Sequence, residues 1–302
     1  MHRPAYVFLL LTTLFWGGNA IAGKLAVGHI SPLLLNASRW TIAFAILAWM
    51  GRRQVAADWA AIRPKLGLLA MLGILGFTIF NIALYTALVH TSAINASIEQ
   101  AGMPMLIFML NFLLFGVRAR AAQFVGFVMS IAGVALTASH GDPAQLLHLA
   151  LNVGDALMLV AVVVYSIYTV ALRYKPPVHW LSLMVVLTGS ATLSSVPFAI
   201  GEFAWGGGIA PDARGWAIIA YTAIFPSILA QIFYIRGVEL IGANRAGLFI
   251  NLVPVFGTVL SIMLLGEDFH AYHALALALT LGGIALAEWS GRRAAALAVP
   301  PS

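Results

Sequence analysis

The pattern of apolar and polar positions divides the chain into ten long apolar stretches separated by short polar ones. The stretches lie near residues 5–23, 32–50, 66–89, 93–115, 121–138, 152–172, 180–200, 215–236, 243–265 and 271–290. Most of them reach the roughly 17 to 25 residues that a helix rising ~1.5 Å per residue needs to cross ~30 Å of hydrocarbon. The pattern therefore predicts an all-α integral membrane protein with ten transmembrane helices in a lipid bilayer.

Composition agrees with this class. The 302 residues are 62% hydrophobic and 9% charged, whereas soluble domains are about one quarter charged. Cysteine is absent, which excludes disulfides and thiolate metal sites. The net charge of +6 raises the question of a nucleic-acid partner, but the positions of the charges indicate membrane topology instead.

Most basic residues fall on one side when the loops are assigned alternately to two sides. On that side, which carries both termini, lie Arg3, Arg52, Arg53, Arg63, Lys65, Arg118, Arg120, Arg173, Lys175, Arg236, Arg245, Arg292 and Arg293. The opposite side takes Asp142, Asp155, Glu202, Asp212, Glu267 and Asp268. The positive-inside rule predicts that both termini are cytoplasmic.

The second half of the chain repeats the first. Ile82–Leu136 aligns without a gap with Ile232–Leu286 at an offset of 150 residues. The matched turn formers are Pro104/Pro254, Gly116/Gly266 and Gly133/Gly283. Because five helices are an odd number, the two units must have opposite orientations, and their matched turns do carry opposite charge. We therefore predict two inverted five-helix repeats, residues 1–140 and 150–290, followed by a cytoplasmic tail at 291–302. Inverted repeats are typical of secondary transporters, which alternate access around a site near the membrane midplane.

The opening of the chain resembles a known family. The residues that carry this resemblance are Leu14-Phe15-Trp16-Gly17-Gly18-Asn19, Lys24, Ser31-Pro32 and Arg39. They resemble the start of EamA domains in the drug/metabolite transporter superfamily. The resemblance covers nearly the whole chain and implies two tandem EamA repeats, each with a proline in its fourth helix. Among the members, the sequence is most similar to the YddG-type exporters of aromatic and other hydrophobic amino acids.

The resemblance implies a secondary exporter of amino acids, with Met and Thr among the substrates, in a bacterial inner membrane. It implies no cofactor and no partner protein, so we expect a monomer. The path is expected between the halves, lined by helices one, three, four, six, eight and nine. Efflux of drugs or lipophilic cations, or of another small metabolite, is the alternative.

Residues 95–106, NASIEQAGMPML, place polar side chains inside a predicted span. An ionisable group at membrane depth costs ~2.5–3.5 kcal/mol on insertion scales, so it usually faces a cavity or a partner. One hypothesis is that Glu99 and Gln100 hold the ammonium group of an amino acid and that Glu99 exchanges protons. The alternative is that Glu99 ties helices together by pairing with Lys24, Arg39 or an asparagine.

Three prolines are predicted to break transmembrane helices. A proline has no N–H, so Pro104 frees the carbonyl of Gln100 and Pro254 frees that of Ile250. Free carbonyls at this depth are tolerated where they line protein or water. We expect these breaks, together with Pro226, to act in gating.

Further polar and aromatic residues at mid-depth are candidates for lining the cavity. They are Trp16, Asn19, Thr78, Asn81, Tyr85, Tyr165, Tyr168, Gln231 and Asn251. Aromatic rings can stack on an aromatic substrate or bind an ammonium group, and amides can bind polar substrate groups. Packing and interhelical hydrogen bonds are the alternatives.

The sequence offers little for other chemistry. No pair of histidines with metal-ligand spacing lies inside a span, and no Gly-rich loop ends in Lys-Ser or Lys-Thr to bind ATP. A membrane enzyme would need a polar cluster near one surface, and the available acidic residues are assigned to loops. We therefore predict neither a metal site nor an enzyme.

Overall fold

The computed structural model describes residues 3–116, 121–142 and 152–297, and within these ranges the chain forms helices and no strand. The α-helices of the first half are α1 (Arg3–Ala26), α2 (Pro32–Ile62), α3 (Leu66–Gly73), α4 (Phe80–His90), α5 (Ala93–Gln100), α6 (Met103–Phe115) and α7 (Ala121–Ala138). Those of the second half are α8 (Val153–Ala171), α9 (Trp180–Ala204), α10 (Ala213–Ile224), α11 (Ala230–Ile241), α12 (Ala243–Ile250), α13 (Val253–Leu260) and α14 (Ala271–Leu297).

Apolar helices long enough to span a bilayer make this a multi-pass membrane protein. By length and composition, the described ranges contain seven candidate spans and two shorter apolar helices. The longest candidate, Pro32–His90, has 59 residues. It reverses at the 3₁₀ turn Arg63–Lys65, since Trp40 stacks on Phe77 with the ring centroids 4.6 Å apart. Each predicted apolar stretch is helical, while the count of ten crossings stays a prediction.

Irregular backbone recurs at matched positions in the two halves. The helix breaks at residues 101–102, between α5 and α6, and again at 251–252, between α12 and α13. Pro104 and Pro254 lie in the first turn after each break, where the missing N–H is tolerated. Gly116 and Gly266 end the matched segments with φ of 61° and 66°, a left-handed backbone that favours glycine.

Two π-helical segments also match. Ile74–Ile79 joins α3 to α4, and Phe225–Leu229, which contains Pro226, joins α10 to α11. A π-helical turn leaves part of the usual hydrogen-bond ladder unmade and is frequent at functional sites. The equivalent helices of the two repeats therefore depart from regular α-helical geometry at matching positions.

The packing of α7 against α14 is also reciprocal. A side chain at Gly126 would collide with the carbonyl oxygen of Gly283, and one at Gly133 would come within 2.7 Å of the carbonyl oxygen of Ala276. At the offset of 150 residues, Gly126 corresponds to Ala276 and Gly133 to Gly283. The repeat therefore exchanges the two contacts, and glycine lets both backbones approach closely.

Acidic residues cap α2 and α9 in the same reciprocal way. Asp58, near the end of α2, accepts a hydrogen bond from the backbone N–H of His179 at 2.9 Å, just before α9 begins. Glu202, near the end of α9, accepts hydrogen bonds from the backbone N–H groups of Leu33 (3.4 Å) and Leu34 (3.1 Å) in the first turn of α2. Carboxylates satisfy free N–H groups at helix starts and complement the helix dipole there.

Several predictions about the loops need correction. Glu202 lies in the last turn of α9 rather than in a loop. Glu267 lies in a loop, as predicted, and accepts hydrogen bonds from the N–H groups of Ala93 and Ile94, at the start of α5. Asp155 is fully buried in the first turn of α8 rather than in a loop. The backbone of α14 continues to Leu297, through the first part of the predicted tail. Some predictions fall outside the described ranges: those for Arg118, Arg120 and 298–302, and for residues 1–2 and 150–151 of the predicted repeats.

Candidate functional site

Arg39 on α2 lies where α1, α2, α4 and the π-helical segment of the second half meet. Its Nη1 donates hydrogen bonds to Oδ1 of Asn19 (3.0 Å) and of Asn81 (2.8 Å), and it also contacts the hydroxyl of Tyr85. Its Nε donates to Oγ of Ser227 at 2.7 Å. The Tyr85 hydroxyl in turn donates to Asn19 at 2.9 Å. We call these five residues the arginine site.

The guanidinium of Arg39 has a neutral surrounding. The residue is 4% exposed, yet in the part of the chain that the structure describes no carboxylate lies within 4.0 Å of it. The ring of Trp40 stabilises the cation, with Cζ of Arg39 4.6 Å from the ring centroid. Nη2 has no hydrogen-bond partner among the same residues. A buried cation without a counter-ion in the described residues can bind an anion that reaches it, because the anion would offset the cost of burying the charge.

Three predicted residues, Asn19, Asn81 and Tyr85, thus meet around a residue that was not predicted to lie in the site. The predicted lining omitted helix two, which supplies Arg39. One signal was present in the sequence: α2 carries an arginine near its start, whereas its counterpart α9 contains no Lys or Arg at all. Ser227 had no such signal, because it approaches Arg39 only through the fold.

Two further predicted residues, Trp16 and Tyr165, lie in an aromatic surface beside the arginine site. Trp16, one turn from Asn19, donates from Nε1 to the carbonyl of Pro226 at 3.3 Å, and its ring lies 5.5 Å from that of Tyr234. The ring of Tyr165 lies 4.8 Å from that of Phe80. We call Trp16, Phe80, Tyr165 and Tyr234 the aromatic group.

The aromatic group is accessible and joins the repeats. All four of its side chains are half-buried. Tyr165 and Tyr234 come from different helices of the second half, and each contacts a ring of the first half. Its partial exposure and its mixed origin suit a wall of a path between the halves.

Other predicted lining residues serve packing. Thr78 shares a hydrogen bond with Ser194 of α9 at 2.7 Å and donates to the carbonyl of Ala191, so it ties the π-helical segment to α9. Tyr168 is buried against Gly76 and lies 5.9 Å from the ring of Phe77. These two residues hold helices together rather than line a cavity.

Two amides that were predicted to line the cavity, Asn81 and Gln231, do not hydrogen-bond to each other. Asn81 belongs to the arginine site and also donates to the carbonyl of Phe77. Gln231 is half-buried on α11 and makes no hydrogen bond with it. Asn251 is half-buried at the break between α12 and α13.

Glu99 is buried without the partner that the structural hypothesis required. It is 0% exposed, and neither carboxyl oxygen has a hydrogen-bond partner in the described ranges. Lys24 donates instead to the backbone carbonyls of Leu88 (2.9 Å) and Thr91 (2.7 Å). Gln100 donates to the carbonyl of Ala96 in its own helix, so it does not join Glu99 in a common site.

A polar cluster surrounds the first turn of α5, one turn from Glu99. We call it the distal network, and its members are Thr91, Asn95, His140, Asp155 and His273. Nε2 of His140 lies 3.0 Å from Oδ2 of Asp155, and Thr91 donates to Asp155. Asn95 lies 3.1 Å from Nε2 of His273 and donates to Thr91 at 3.4 Å. The sequence placed both histidines at or near loops, and nothing in their spacing indicated that they meet.

One end of the bundle, which we call the distal side, carries the loops 27–31, 91–92, 205–212 and 266–270. Loop 27–31 contacts loop 205–212 there. Nδ1 of His29 lies 2.6 Å from Oδ2 of Asp212, and the N–H of Ser31 donates to the carbonyl of Ile209 at 3.2 Å. The hydrogen bond from His29 is the largest cause that lowers the pKa of Asp212, and the hydrogen bond from the N–H of Gly215 is the next. We call the contact between His29 and Asp212 the distal latch.

A cavity of about 220 Å³ lies under the distal latch. It is lined by Tyr85 of the arginine site and by Ser31, Gly207 and Ile209. A larger groove of about 540 Å³ runs along the outside of the bundle between α2, α9 and α10, and it is lined almost entirely by apolar side chains. Within the described residues, no group of three or more His, Asp or Glu side chains could hold a metal ion.

Apolar spans, matched irregularities in two halves and a polar centre between them define this molecule as a membrane transporter. The chain belongs to the EamA-like transporter family, whose model matches residues 3–139 and 152–289. It therefore contains two EamA segments. The resemblance noted in the sequence is confirmed at the level of this family.

Relatives and a solved structure agree with this assignment. The chain is 25% identical over 93% of its length to the uncharacterized transporter YetK of Bacillus subtilis, covering 85% of that protein. It is 24% identical over 95% of its length to the uncharacterized transporter YyaM of the same organism, covering 94% of it. A crystal structure with 23% identity covers 97% of this chain and 100% of its own, with a TM-score of 0.62, and shows the same fold. The names of these relatives specify transport without a substrate.

Proposed function

We propose that this protein is a secondary exporter of small amphipathic metabolites that carry a carboxylate. The leading substrates are amino acids with aromatic or other hydrophobic side chains, including Met. Thr, a smaller amino acid, is included in the uptake experiment described below. The observation that carries the proposal is Arg39: a buried guanidinium between the repeats that has no acidic partner in the described part of the chain.

A carboxylate would complete the arginine site. The planar guanidinium presents its N–H groups in a fork that matches a carboxylate, and such charge-assisted pairs are stronger than neutral hydrogen bonds. Nη2 has no partner in the described part of the chain, so an incoming carboxylate can bind there without displacing Asn19 or Asn81. Tyr85, whose hydroxyl donates to Asn19, lines the 220 Å³ cavity and so brings the arginine site to its edge.

The aromatic group gives the remainder of the substrate a place to bind. Trp16 precedes Asn19 by three residues on α1, which corresponds to ~4.5 Å along the helix axis. An amino acid with its carboxylate on Arg39 therefore reaches the rings of Trp16 and Tyr234 with its side chain. Offset or edge contacts between aromatic rings contribute ~0.5–1.5 kcal/mol beyond burial, which favours aromatic side chains.

The alternative of lipophilic cation efflux receives less support. A cationic substrate at the centre of the bundle would face the charge of Arg39 in a medium of low dielectric constant, where like charges repel strongly. Glu99, the group expected to attract a cation, is enclosed and does not face the arginine site. Another small anionic metabolite remains compatible with Arg39 and is an arm of the test below.

Alternating access provides the route. We place both termini in the cytoplasm of a bacterium and the distal latch on the outer side of the inner membrane, in accord with the distribution of basic residues. The conformation described would then be closed to the outside. Export would require the latch to open while the matched helix breaks close the other end, and a monomer suffices for this movement.

An uptake panel in proteoliposomes tests the proposal. The radiolabelled substrates are phenylalanine, methionine, threonine, a sugar phosphate and a quaternary ammonium drug. We expect flux of phenylalanine and methionine, and at least a tenfold loss in Arg39→Gln, because a charge-assisted hydrogen bond contributes ~1.5–3 kcal/mol. Arg236→Gln is the matched control, since Arg236 forms an exposed ion pair with Glu239 at 2.8 Å. Flux of the drug without flux of either amino acid would overturn the proposal.

A further inference from the structure

Glu99 on α5 supports an inference that goes beyond the proposed substrate and does not depend on it. Both of its carboxyl oxygens are enclosed, and neither has a hydrogen-bond partner among the described residues. We propose that Glu99 is the binding site of a coupling proton, which it exchanges with the distal side through Asp155 and His140.

The elements packed around α5 are α1, α4, α7, α8, α13, α14 and the π-helical segment Ser261–Leu265. The charged and titratable groups on or next to their distal halves are Lys24, His29, Tyr85, His90, His140, Asp142, Asp155, Glu267, Asp268, His270, Tyr272 and His273. The one ammonium group among them, on Lys24, donates to the carbonyls of Leu88 and Thr91. Glu267 caps α5 through the backbone of Ala93 and Ile94. None of these groups neutralises or hydrogen-bonds the Glu99 side chain.

The environment of Glu99 suits a proton-bearing carboxyl group. An ionised carboxylate there would lack both a counter-ion and a hydrogen-bond donor, and burying a charge without either is very unfavourable. A protonated carboxyl group is neutral and removes that cost. Protonation and deprotonation of Glu99 therefore change the free energy of this packed arrangement strongly, as a coupling site requires.

Titratable groups connect Glu99 to the distal surface. Asp155 lies on α8, which packs against α5, and it accepts a hydrogen bond from Thr91, just before α5 begins. Asp155 is fully buried, but its neighbour His140, at 3.0 Å, has a side chain that is 37% exposed. Asn95, four residues before Glu99 and so on the same helix face, is held by His273 and Thr91. The route from water to Glu99 thus contains a histidine and then a carboxylate.

The transfer is a simple proton relay. The O–H bond of the Glu99 carboxyl group breaks and its electron pair stays on Glu99. Because neither carboxyl oxygen has a hydrogen-bond partner in the described ranges, a water molecule between the two side chains carries the proton to the carboxylate of Asp155. Asp155 then protonates the imidazole of His140, which releases a proton to water on the distal side. The reverse sequence reloads Glu99, so no other reactant is needed.

The position of Glu99 explains how its charge can act on the fold. Glu99 lies just before the helix break at residues 101–102. Two residues earlier, Ser97 fills the space beside Gly257, and Gly257 packs against Gly17. A charge that appears on Glu99 therefore acts where α1, α5 and α13 cross, and where a break lets α5 move independently of α6.

Infrared spectroscopy of the full-length protein in lipid tests the proton site without any substrate. We expect a carbonyl band of a protonated carboxylic acid at neutral pH that is absent in Glu99→Gln and unchanged in Glu239→Gln, the exposed control. An equal band in wild type and Glu99→Gln would overturn the proposal.

The exchange of that band in D₂O tests the route. We expect Asp155→Asn, and separately His140→Ala, to slow exchange by roughly 10²-fold, the lower end of what a positioned acid–base group contributes. Exchange as fast as in the wild type in both variants would overturn the route through Asp155 and His140. Neither result bears on the amino-acid panel, so a failure here and a failure of the proposed function are distinguishable.

Discussion

Arg39 donates a hydrogen bond from Nε to Oγ of Ser227 at 2.7 Å, and this bond joins the first repeat to the second. Ser227 belongs to the π-helical segment that contains Pro226, and Trp16 donates to the carbonyl of that proline. The first repeat thus contacts the second at an irregular turn, through one charged and one aromatic side chain.

Ser227→Ala should destabilise the conformation described. The substitution leaves Nε of Arg39 without its acceptor in a buried place, and such a loss costs ~1–3 kcal/mol. Thermal unfolding in detergent measures the effect as a lowered Tm. Ser190→Ala is the matched control, since Ser190 donates only to the carbonyl of Val186 in its own helix. Equal Tm values for the two variants would contradict the assigned contact.

Gly283→Ala should disrupt the packing of α7 against α14. The added carbon would collide with the carbonyl oxygen of Gly126 and approach the N–H of Ser130 to 3.1 Å, both backbone atoms that cannot move aside alone. Overpacking of this kind typically costs ~1–3 kcal/mol. The yield of folded protein and its Tm report the loss.

Gly67→Ala is the comparison for that substitution. Gly67 is also helical, but nothing lies within 4 Å of an added side chain there. Replacing an unconstrained helical glycine by alanine usually stabilises a protein by up to about 1 kcal/mol. A Tm for Gly283→Ala as high as that for Gly67→Ala would refute close packing between α7 and α14.

Asp212→Asn should open the distal latch. The amide loses the charge that holds His29, and the cavity beneath becomes accessible more often. Because the chain has no cysteine, Ser31→Cys places a single thiol in that cavity, where Ser31 is 1% exposed and its hydroxyl has no partner among the described residues. We expect the labelling rate of this thiol by a membrane-impermeant maleimide to rise several-fold in Asp212→Asn.

The contact at the opposite end supplies the control for the latch. Asp58 caps α9 on the other side of the bundle. Asp58→Asn in the same Ser31→Cys background should leave the labelling rate unchanged or lower it. A rise of equal size in both variants would mean that lost stability, rather than opening of the latch, exposes the thiol.

The sequence predicted the parts of the structure that depend on local pattern and on the repeat. Hydrophobic runs marked the helices, and the matched prolines at 104 and 254 marked breaks that are present in both halves. Asn19, Asn81 and Tyr85 were selected by depth and do converge. The contacts of Arg39, which was not among the predicted site residues, and of Thr78, which shares a hydrogen bond with Ser194 of α9, could not be predicted, because neighbours from distant segments decide which way a helix face points.

The environment of Glu99 shows the same limit. Its own helix predicted a polar stripe, but the distal network is built from residues 91, 140, 155 and 273, which are far apart in the sequence. No periodicity links them. The absence of a partner for Glu99 is likewise a property of the packed bundle, since Lys24 is drawn to backbone carbonyls that a sequence does not place.

Substitution by glutamine should lower the stability of the protein at Glu267 and leave it nearly unchanged at Glu99. Glu267→Gln replaces the carboxylate that accepts from the N–H groups of Ala93 and Ile94 at 2.8 and 2.9 Å, so it should cost ~0.5–2 kcal/mol of unfolding free energy, the range for a lost helix cap. Glu99→Gln removes no hydrogen bond made within the described residues and exchanges one neutral group for another of the same shape. Its unfolding free energy should therefore stay within about 0.5 kcal/mol of the wild type, as is usual when no specific interaction is lost. Tm values measured side by side decide the matter: a large loss in Glu99→Gln would reveal that this carboxyl group is ionised and paired.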